Sequence, residues 1–324
     1  MMKIVFFGSS EFSATILDRL VKGNLKPVLA VAPPDKPVGR EQTISSTPAK
    51  VLAEKYGIPV LQPEDLENPV FKQVLNNIQP DLVVVAAFGP PFLPNWLLGF
   101  PKYGCLNLHP SLLPKYRGAS PIPYAILNGE SETGATIIRL SEKIDQGDIL
   151  AQEKIAIATN ETTLTLTQKL ADLGSQLLVK TIPLLVKGMV SAQAQGNSST
   201  LYCRQLKKED GRIDWHKSAD FIERQIRAFD SWPGSFTKFS GKVLKILKAH
   251  VITDKMSDIS PRAIKKYTEP SKSGFVFLSQ GKDLTVRAGK DALVIEQLQL
   301  EGKKPMSAQD FLRGHKEIIN DKLT

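Results

Sequence analysis

The 324-residue sequence has only two cysteines and four histidines, and that scarcity excludes several classes of protein at once. Cys105 and Cys203 stand alone, without the paired Cys or Cys/His spacing of a structural zinc site or a redox centre; both are expected to be small buried hydrophobes. His109, His216, His250 and His315 form no His-Glu-x-x-His pair, so no metal is expected. No apolar run approaches the roughly 20 residues of a membrane helix. The opening residues lack the basic, apolar and small-residue order of a secretory signal and the Arg/Ser-rich character of a transit segment. The expectation is a soluble, cytoplasmic protein with no membrane contact. Internal repeats and low-complexity tracts are absent, and so is a Gly-x-Gly-x-x-Gly turn. The first predicted strand ends in Gly8-Ser9-Ser10-Glu11, where an acid at the helix start would repel a pyrophosphate, which disfavours a dinucleotide cofactor.

What the sequence does have is enough length for two domains and, at 42% hydrophobic residues, enough apolar area to fill ordinary cores. Through the first half, apolar runs alternate with helical stretches, the pattern of βαβ units in a doubly wound, Rossmann-like and mostly parallel sheet. Strands are expected at 3–8, 27–32, 59–61, 81–86, 105–109, 135–140 and 150–157. Helices are expected at 12–22, 48–56, 69–77 and 163–187, and a Pro/Gly-rich loop at 33–47. A polar stretch within 191–207 reads as a linker. Beyond it come a helix at 218–229 and short strands at 235–239, 243–252, 274–279, 283–287 and 292–298, the signature of a small barrel. The domains are therefore expected at 1–190 and 208–324. Trp215 and Trp232 are expected in a core rather than on a base-stacking surface.

The net charge of +9 is unevenly spread. Residues 1–190 hold 18 basic against 17 acidic side chains, and residues 191–324 hold 24 against 16. A basic second module beside a neutral first one either meets a polyanion or serves solubility.

The sharpest constellation is Asn107-Leu108-His109-Pro110-Ser111-Leu112-Leu113-Pro114-Lys115-Tyr116-Arg117-Gly118. Side chains on a strand alternate between faces, so Asn107 and His109 share one. Both lie at the carboxyl end of the strand, where open α/β sheets bind ligands. A second polar cluster, Asp145-Gln146-Gly147-Asp148, follows the next predicted strand. A carboxylate beside His109 would orient the imidazole and raise its basicity.

These motifs together resemble the folate-dependent formyltransferases, and the resemblance to members that act on methionyl-tRNA runs along nearly the whole chain. It extends to Pro34-Asp35-Lys36-Pro37-Val38-Gly39-Arg40, Arg212-Ile213-Asp214-Trp215, Arg227-Ala228-Phe229-Asp230-Ser231-Trp232-Pro233 and Gly302-Lys303-Lys304-Pro305-Met306. The resemblance implies formyl transfer from 10-formyltetrahydrofolate to the α-amino group of methionyl initiator tRNA. It implies Asn107, His109 and Asp145 as the catalytic trio, and a folate grip at Ser111, Leu112, Leu113 and Pro114, largely through backbone atoms. It further implies an oligonucleotide-binding-like C-terminal barrel that docks tRNA, with Arg40, Lys207, Lys208, Arg212, Lys303 and Lys304 as candidate contacts. Family members carry further lysines after the arginine of the 33–47 loop, whereas this chain reads Arg40-Glu41-Gln42. A monomer suffices for these roles. The alternatives are formyl transfer to a UDP-linked amino sugar and a non-catalytic RNA-binding protein on the same scaffold.

Overall fold

A computed structural model describes residues 2–38, 43–90, 92–196, 202–253, 273–279 and 282–324. Arg40 and residues 197–201 of the expected linker lie outside these. The chain forms two compact units. Unit 1 comprises Met1–Pro121, Glu132–Ala156 and Leu166–Cys203; unit 2 comprises Ile122–Ser131, Ile157–Thr165 and Arg204–Thr324.

In chain order the first strands are β1 (Ile4–Gly8), β2 (Leu29–Val31), β3 (Lys36–Val38), β4 (Thr43–Ser45), β5 (Val60–Leu61), β6 (Leu82–Ala86), β7 (Cys105–His109), β8 (Glu132–Arg139) and β9 (Ile149–Ala156). The helices over the same stretch are α1 (Glu11–Lys22), α2 (Pro48–Lys55), α3 (Pro69–Ile78), α4 (Asn95–Leu98), α5 (Pro121–Leu127) and α6 (Thr163–Val186). Seven strands make one sheet in the order β5-β2-β1-β6-β7-β8-β9. The first five are parallel, and β8 and β9 each run antiparallel to the preceding strand. In β1 and β6 every residue is buried, which is why their sequences are continuous apolar runs rather than alternating ones. The α1 helix buries Phe12, Ile16, Leu17 and Leu20 at helical spacing. Its first turn is closed by its own side chains, with the Ser13 N–H donating to Ser10 Oγ and the Ser10 N–H donating to Ser13 Oγ. The 33–47 segment, expected as a loop, contains the antiparallel pair β3 and β4. Pairing so brief leaves little period-2 signal to read.

Unit 2 holds α7 (Ala219–Ala228), β10 (Ser235–Phe239), β11 (Lys242–Ile252), β12 (Val276–Ser279), β13 (Asp283–Arg287), β14 (Ala292–Leu300), β15 (Met306–Ser307) and α8 (Ala308–Gly314). The sheet is antiparallel, in the order β10-β11-β14-β13-β12, with β15 beside β14. The last residues join its two edges. At β12, the Asn320 N–H donates to the Val276 carbonyl and the Val276 N–H to the Asp321 carbonyl, both at 2.9 Å. At β10, the Lys238 N–H donates to the Thr324 carbonyl at 2.8 Å. Both edges are thus covered, as small barrels cover theirs. Ile222, Ile226, Leu244, Leu293 and Phe311 pack in the core with Trp215, whose Nε1 donates to Thr237 Oγ1 at 3.1 Å. Trp232 differs from expectation. It is 56% exposed, because it sits in the turn between α7 and β10, which the Gly234 N–H closes on the Phe229 carbonyl. Among the described residues no helix is long and apolar enough to cross a membrane.

Candidate active site

The β7 strand lies between β6 and β8 and ends at His109. Its alternation puts Asn107 and His109 on one face, and both approach the same atom, Asp145 Oδ1. Asn107 Nδ2 is 3.4 Å from it and His109 Nδ1 is 3.7 Å from it. The other carboxylate oxygen, Oδ2, accepts the Gly118 N–H at 2.8 Å. His109 is buried, and its Nε2 is 2.9 Å from the Tyr116 carbonyl oxygen. A carbonyl only accepts, so Nε2 carries a proton and Nδ1 is the nitrogen left to face Asp145. The expectation that the imidazole acts in the chemistry therefore narrows to Nδ1.

Strand order does not by itself bring Asp145 to this place. Because β8 is antiparallel to β7, it ends with Arg139 beside Leu106, nearer the opposite end of β7 from His109. The turn after β8 must fold back to reach Asn107 and His109. Two features of the turn allow this. Asp145 has φ +53°, in the left-handed region. At Gly147 the backbone passes so close to Arg139 that an added Cβ would lie 1.7 Å from its carbonyl oxygen. Only glycine permits that approach.

The loop after β7 holds Ser111, Leu112, Leu113 and Pro114. Most of its peptide groups are engaged within the unit. Thr136 Oγ1 donates to the Ser111 carbonyl at 2.6 Å and accepts the Leu113 N–H at 3.2 Å. Gln152 Nε2 donates to the Leu113 carbonyl at 2.9 Å and to Thr136 Oγ1 at 2.8 Å. Ser111 Oγ donates to the Lys115 carbonyl at 2.7 Å, and the Leu112 carbonyl accepts the Lys115 N–H at 3.0 Å. The side chains of Leu112 and Pro114 are half-buried, and that of Leu112 lies against Gly134. The backbone to which the resemblance assigns a folate grip thus also holds the loop itself. Thr136 and Gln152 escaped sequence reasoning, although they face each other across β8 and β9, and two polar residues in that register were the available signal.

Gln195 also escaped it. Its side chain bridges Arg117 to the Asp145–Gly147 turn from a stretch whose composition reads only as linker.

Lys207, Lys208, Arg212, Lys303 and Lys304 are all exposed and all in unit 2. Lys208 opens the 3-10 turn Lys208–Gly211, which Lys207 and Arg212 flank, and the last two lie between β14 and β15. Cys105 and Cys203 are buried, and burial pushes both thiols up to about 12. Neither is a thiolate nucleophile near neutrality. Among the described residues no group of His, Cys, Asp and Glu is arranged to hold a metal ion.

Known proteins share this organisation. The formyl transferase domain matches residues 2–182 and the formyl transferase C-terminal domain matches 205–316. A relative from Bacillus cereus, named Methionyl-tRNA formyltransferase, is 40% identical over 325 aligned positions that cover 100% of this chain and 99% of its own. Among solved structures, the N-formyltransferase from Helicobacter canadensis in complex with folinic acid and dTDP-3-aminofucose superposes with a TM-score of 0.62. It is 20% identical, over 91% of this chain and 99% of that one. HypX from Aquifex aeolicus, in complex with tetrahydrofolic acid, gives 0.61 at 17% identity; 97% of this chain is covered but only 47% of that one, so this chain spans about half its length. The mixed sheet of unit 1, the antiparallel sheet of unit 2 and the residue-for-residue likeness that runs through both lead to one conclusion: the chain belongs to the formyl transferase family.

Proposed function

We propose that the protein transfers the formyl group of 10-formyltetrahydrofolate to the α-amino group of methionine on initiator methionyl-tRNA, the modification that prepares this tRNA for translation initiation. The observation that carries this reading is the convergence of Asn107, His109 and Asp145 at one carboxylate oxygen, in a chain that matches a methionyl-tRNA formyltransferase from end to end.

When bound, the folate donor supplies an activated formyl carbon to the attacking amine. The residues fit such a donor, because the cluster offers hydrogen-bond donors and a proton-transfer pair. Asn107 keeps a second amide N–H beyond the one that faces Asp145, and it stabilises negative charge on the formyl oxygen. The Tyr116 carbonyl fixes the ring of His109, leaving Nδ1 to exchange a proton while the Asp145 carboxylate stabilises the imidazolium. Leu112 and Pro114 give apolar contact to the flat ring of the donor, on a loop that Thr136 and Gln152 hold.

In this division of labour residues 1–190 carry the chemistry, 191–207 link, and 208–324 dock the tRNA. Lys207, Lys208, Arg212, Lys303 and Lys304 neutralise phosphates, with Arg40 of the 33–47 segment as a further contact. The protein works as a cytoplasmic monomer without a metal.

A formylation assay with 10-formyltetrahydrofolate tests the proposal, with methionyl initiator tRNA, methionyl elongator tRNA and a UDP-linked amino sugar as acceptors. Rapid formylation of the initiator alone is expected. Transfer only to the sugar would overturn the substrate assignment, and tRNA binding without transfer to any acceptor would favour a non-catalytic RNA-binding role.

A further inference from the structure

Residues 192–196 have no apolar period, yet they run along the rim of the candidate site. Gln193 pairs with Ile149 through both backbone hydrogen bonds, at 2.8 and 2.9 Å. Two residues later the side chain of Gln195 uses its whole hydrogen-bonding capacity. Its Nε2 donates to the carbonyl oxygens of Asp145 at 2.8 Å and Gly147 at 2.7 Å. Its Oε1 accepts Arg117 Nε at 3.0 Å and Nη2 at 2.7 Å. The orientation of the amide is unambiguous, because carbonyls only accept and a guanidinium only donates.

These bonds close a ring around the reacting groups. Arg117 lies between Tyr116, whose carbonyl holds His109, and Gly118, whose N–H holds Asp145 Oδ2. Gln195 ties that loop to the backbone of the Asp145 turn. Asp145 needs such support, since its left-handed conformation is uncommon for a residue with a side chain and persists only where the surroundings over-determine it.

We infer that Gln195 is a positioning residue that acts through Asp145, fixing the carboxylate against His109 and Asn107 by bridging Arg117 to the turn. The inference rests on the reading of Asp145 as part of the catalytic centre. It makes the 192–196 segment part of the active-site wall rather than a passive connection.

The test measures kcat and KM for 10-formyltetrahydrofolate and methionyl-tRNA in the full-length protein carrying Gln195→Ala or Gln195→Glu, each also combined with Asp145→Asn. Glutamate keeps an acceptor for Arg117 but turns oxygen toward two carbonyls, so it preserves a tether while destroying the positioning bonds. Both single variants are expected to lose about 10- to 100-fold in kcat, the effect of misplacing a reacting group by about an ångström, with KM for both substrates near that of the parent. In the Asp145→Asn background neither should lower kcat further, because residues that act as one unit are not additive. Parental kcat in Gln195→Glu, or losses that multiply in the double variant, would overturn the inference. A readout independent of transfer covers poor folding or an inactive parent. The imidazole nitrogen resonances of His109 should move in Gln195→Glu in the same direction as in Asp145→Asn, and unmoved resonances would overturn the inference. Should the parent formylate no acceptor, the proposed function fails while this spectroscopic arm still decides the role of Gln195.

Discussion

In unit 1 the buried Asp145 meets Asn107, His109 and the Gly118 N–H through its carboxylate, whereas in unit 2 Lys207, Lys208, Arg212, Lys303 and Lys304 are exposed and none makes an ion pair among the described residues. The contrast is the one that the proposed roles require. Catalysis rewards groups held in place before the substrate arrives, so that little reorganisation is left for the reaction itself. Attraction of a polyanion depends on accumulated charge near the surface, and an ammonium on a flexible stem supplies it without a fixed geometry. A substitution in unit 1 should therefore act on rate, and one in unit 2 on affinity and its salt dependence.

The largest effect should come from removing the proposed proton-transfer pair. His109→Ala and Asp145→Ala are each expected to lose about 10³-fold or more in kcat, while tRNA affinity, measured by filter binding, and the melting temperature change little. Full activity in either would break the comparison at its centre. The next effect separates position from chemistry. Gly147→Ala removes none of the proposed reacting groups but drives a methyl into the Arg139 carbonyl and so displaces the turn that carries Asp145. We expect a loss of about 2–3 kcal/mol in denaturant unfolding together with a fall in kcat. A stable variant with unchanged kcat would mean that the turn tolerates displacement. The smallest effect belongs to unit 2. In a Lys303→Ala/Lys304→Ala double variant, the slope of log binding constant against log salt should fall by about 2, close to one for each phosphate no longer neutralised, with kcat retained. An unchanged slope would assign these two lysines to solvation alone.

Much of the fold was legible because burial leaves a simple trace. The run Leu82–Ala86 is apolar throughout, the run Cys105–His109 is bounded by Gly104 and Pro110, and the strands observed there agree with the spacing to within a residue. The same holds for Ser235–Phe239 and Asp283–Arg287 in unit 2. Short elements were harder. The α4 helix has four residues and the β3–β4 pair three in each strand, too few for a period to stand out from composition. Trp232 illustrates a different limit, since an aromatic residue in a turn carries no sign of which way the turn will point it. At the candidate site, the shared face of Asn107 and His109 followed from strand periodicity alone. That Asp145 reaches them depends on the antiparallel course of β8 and on the close backbone approach at Gly147, neither of which spacing encodes.

The sequence by itself determined the types of the longer elements, the two-part layout and the separation of a neutral half from a basic one, because periodicity, composition and charge are properties of the chain read in order. Only the tertiary structure decided that the His109 imidazole is held through Nε2, that Thr136 and Gln152 hold the loop backbone at Ser111 and Leu113, and that Gln195 braces the Asp145 turn. Each of these is a hydrogen bond whose partners no sequence pattern pairs. Such partners are selected by where folding brings donors and acceptors together and by the cost of leaving a buried polar group unpaired, and that pairing has no period along the sequence.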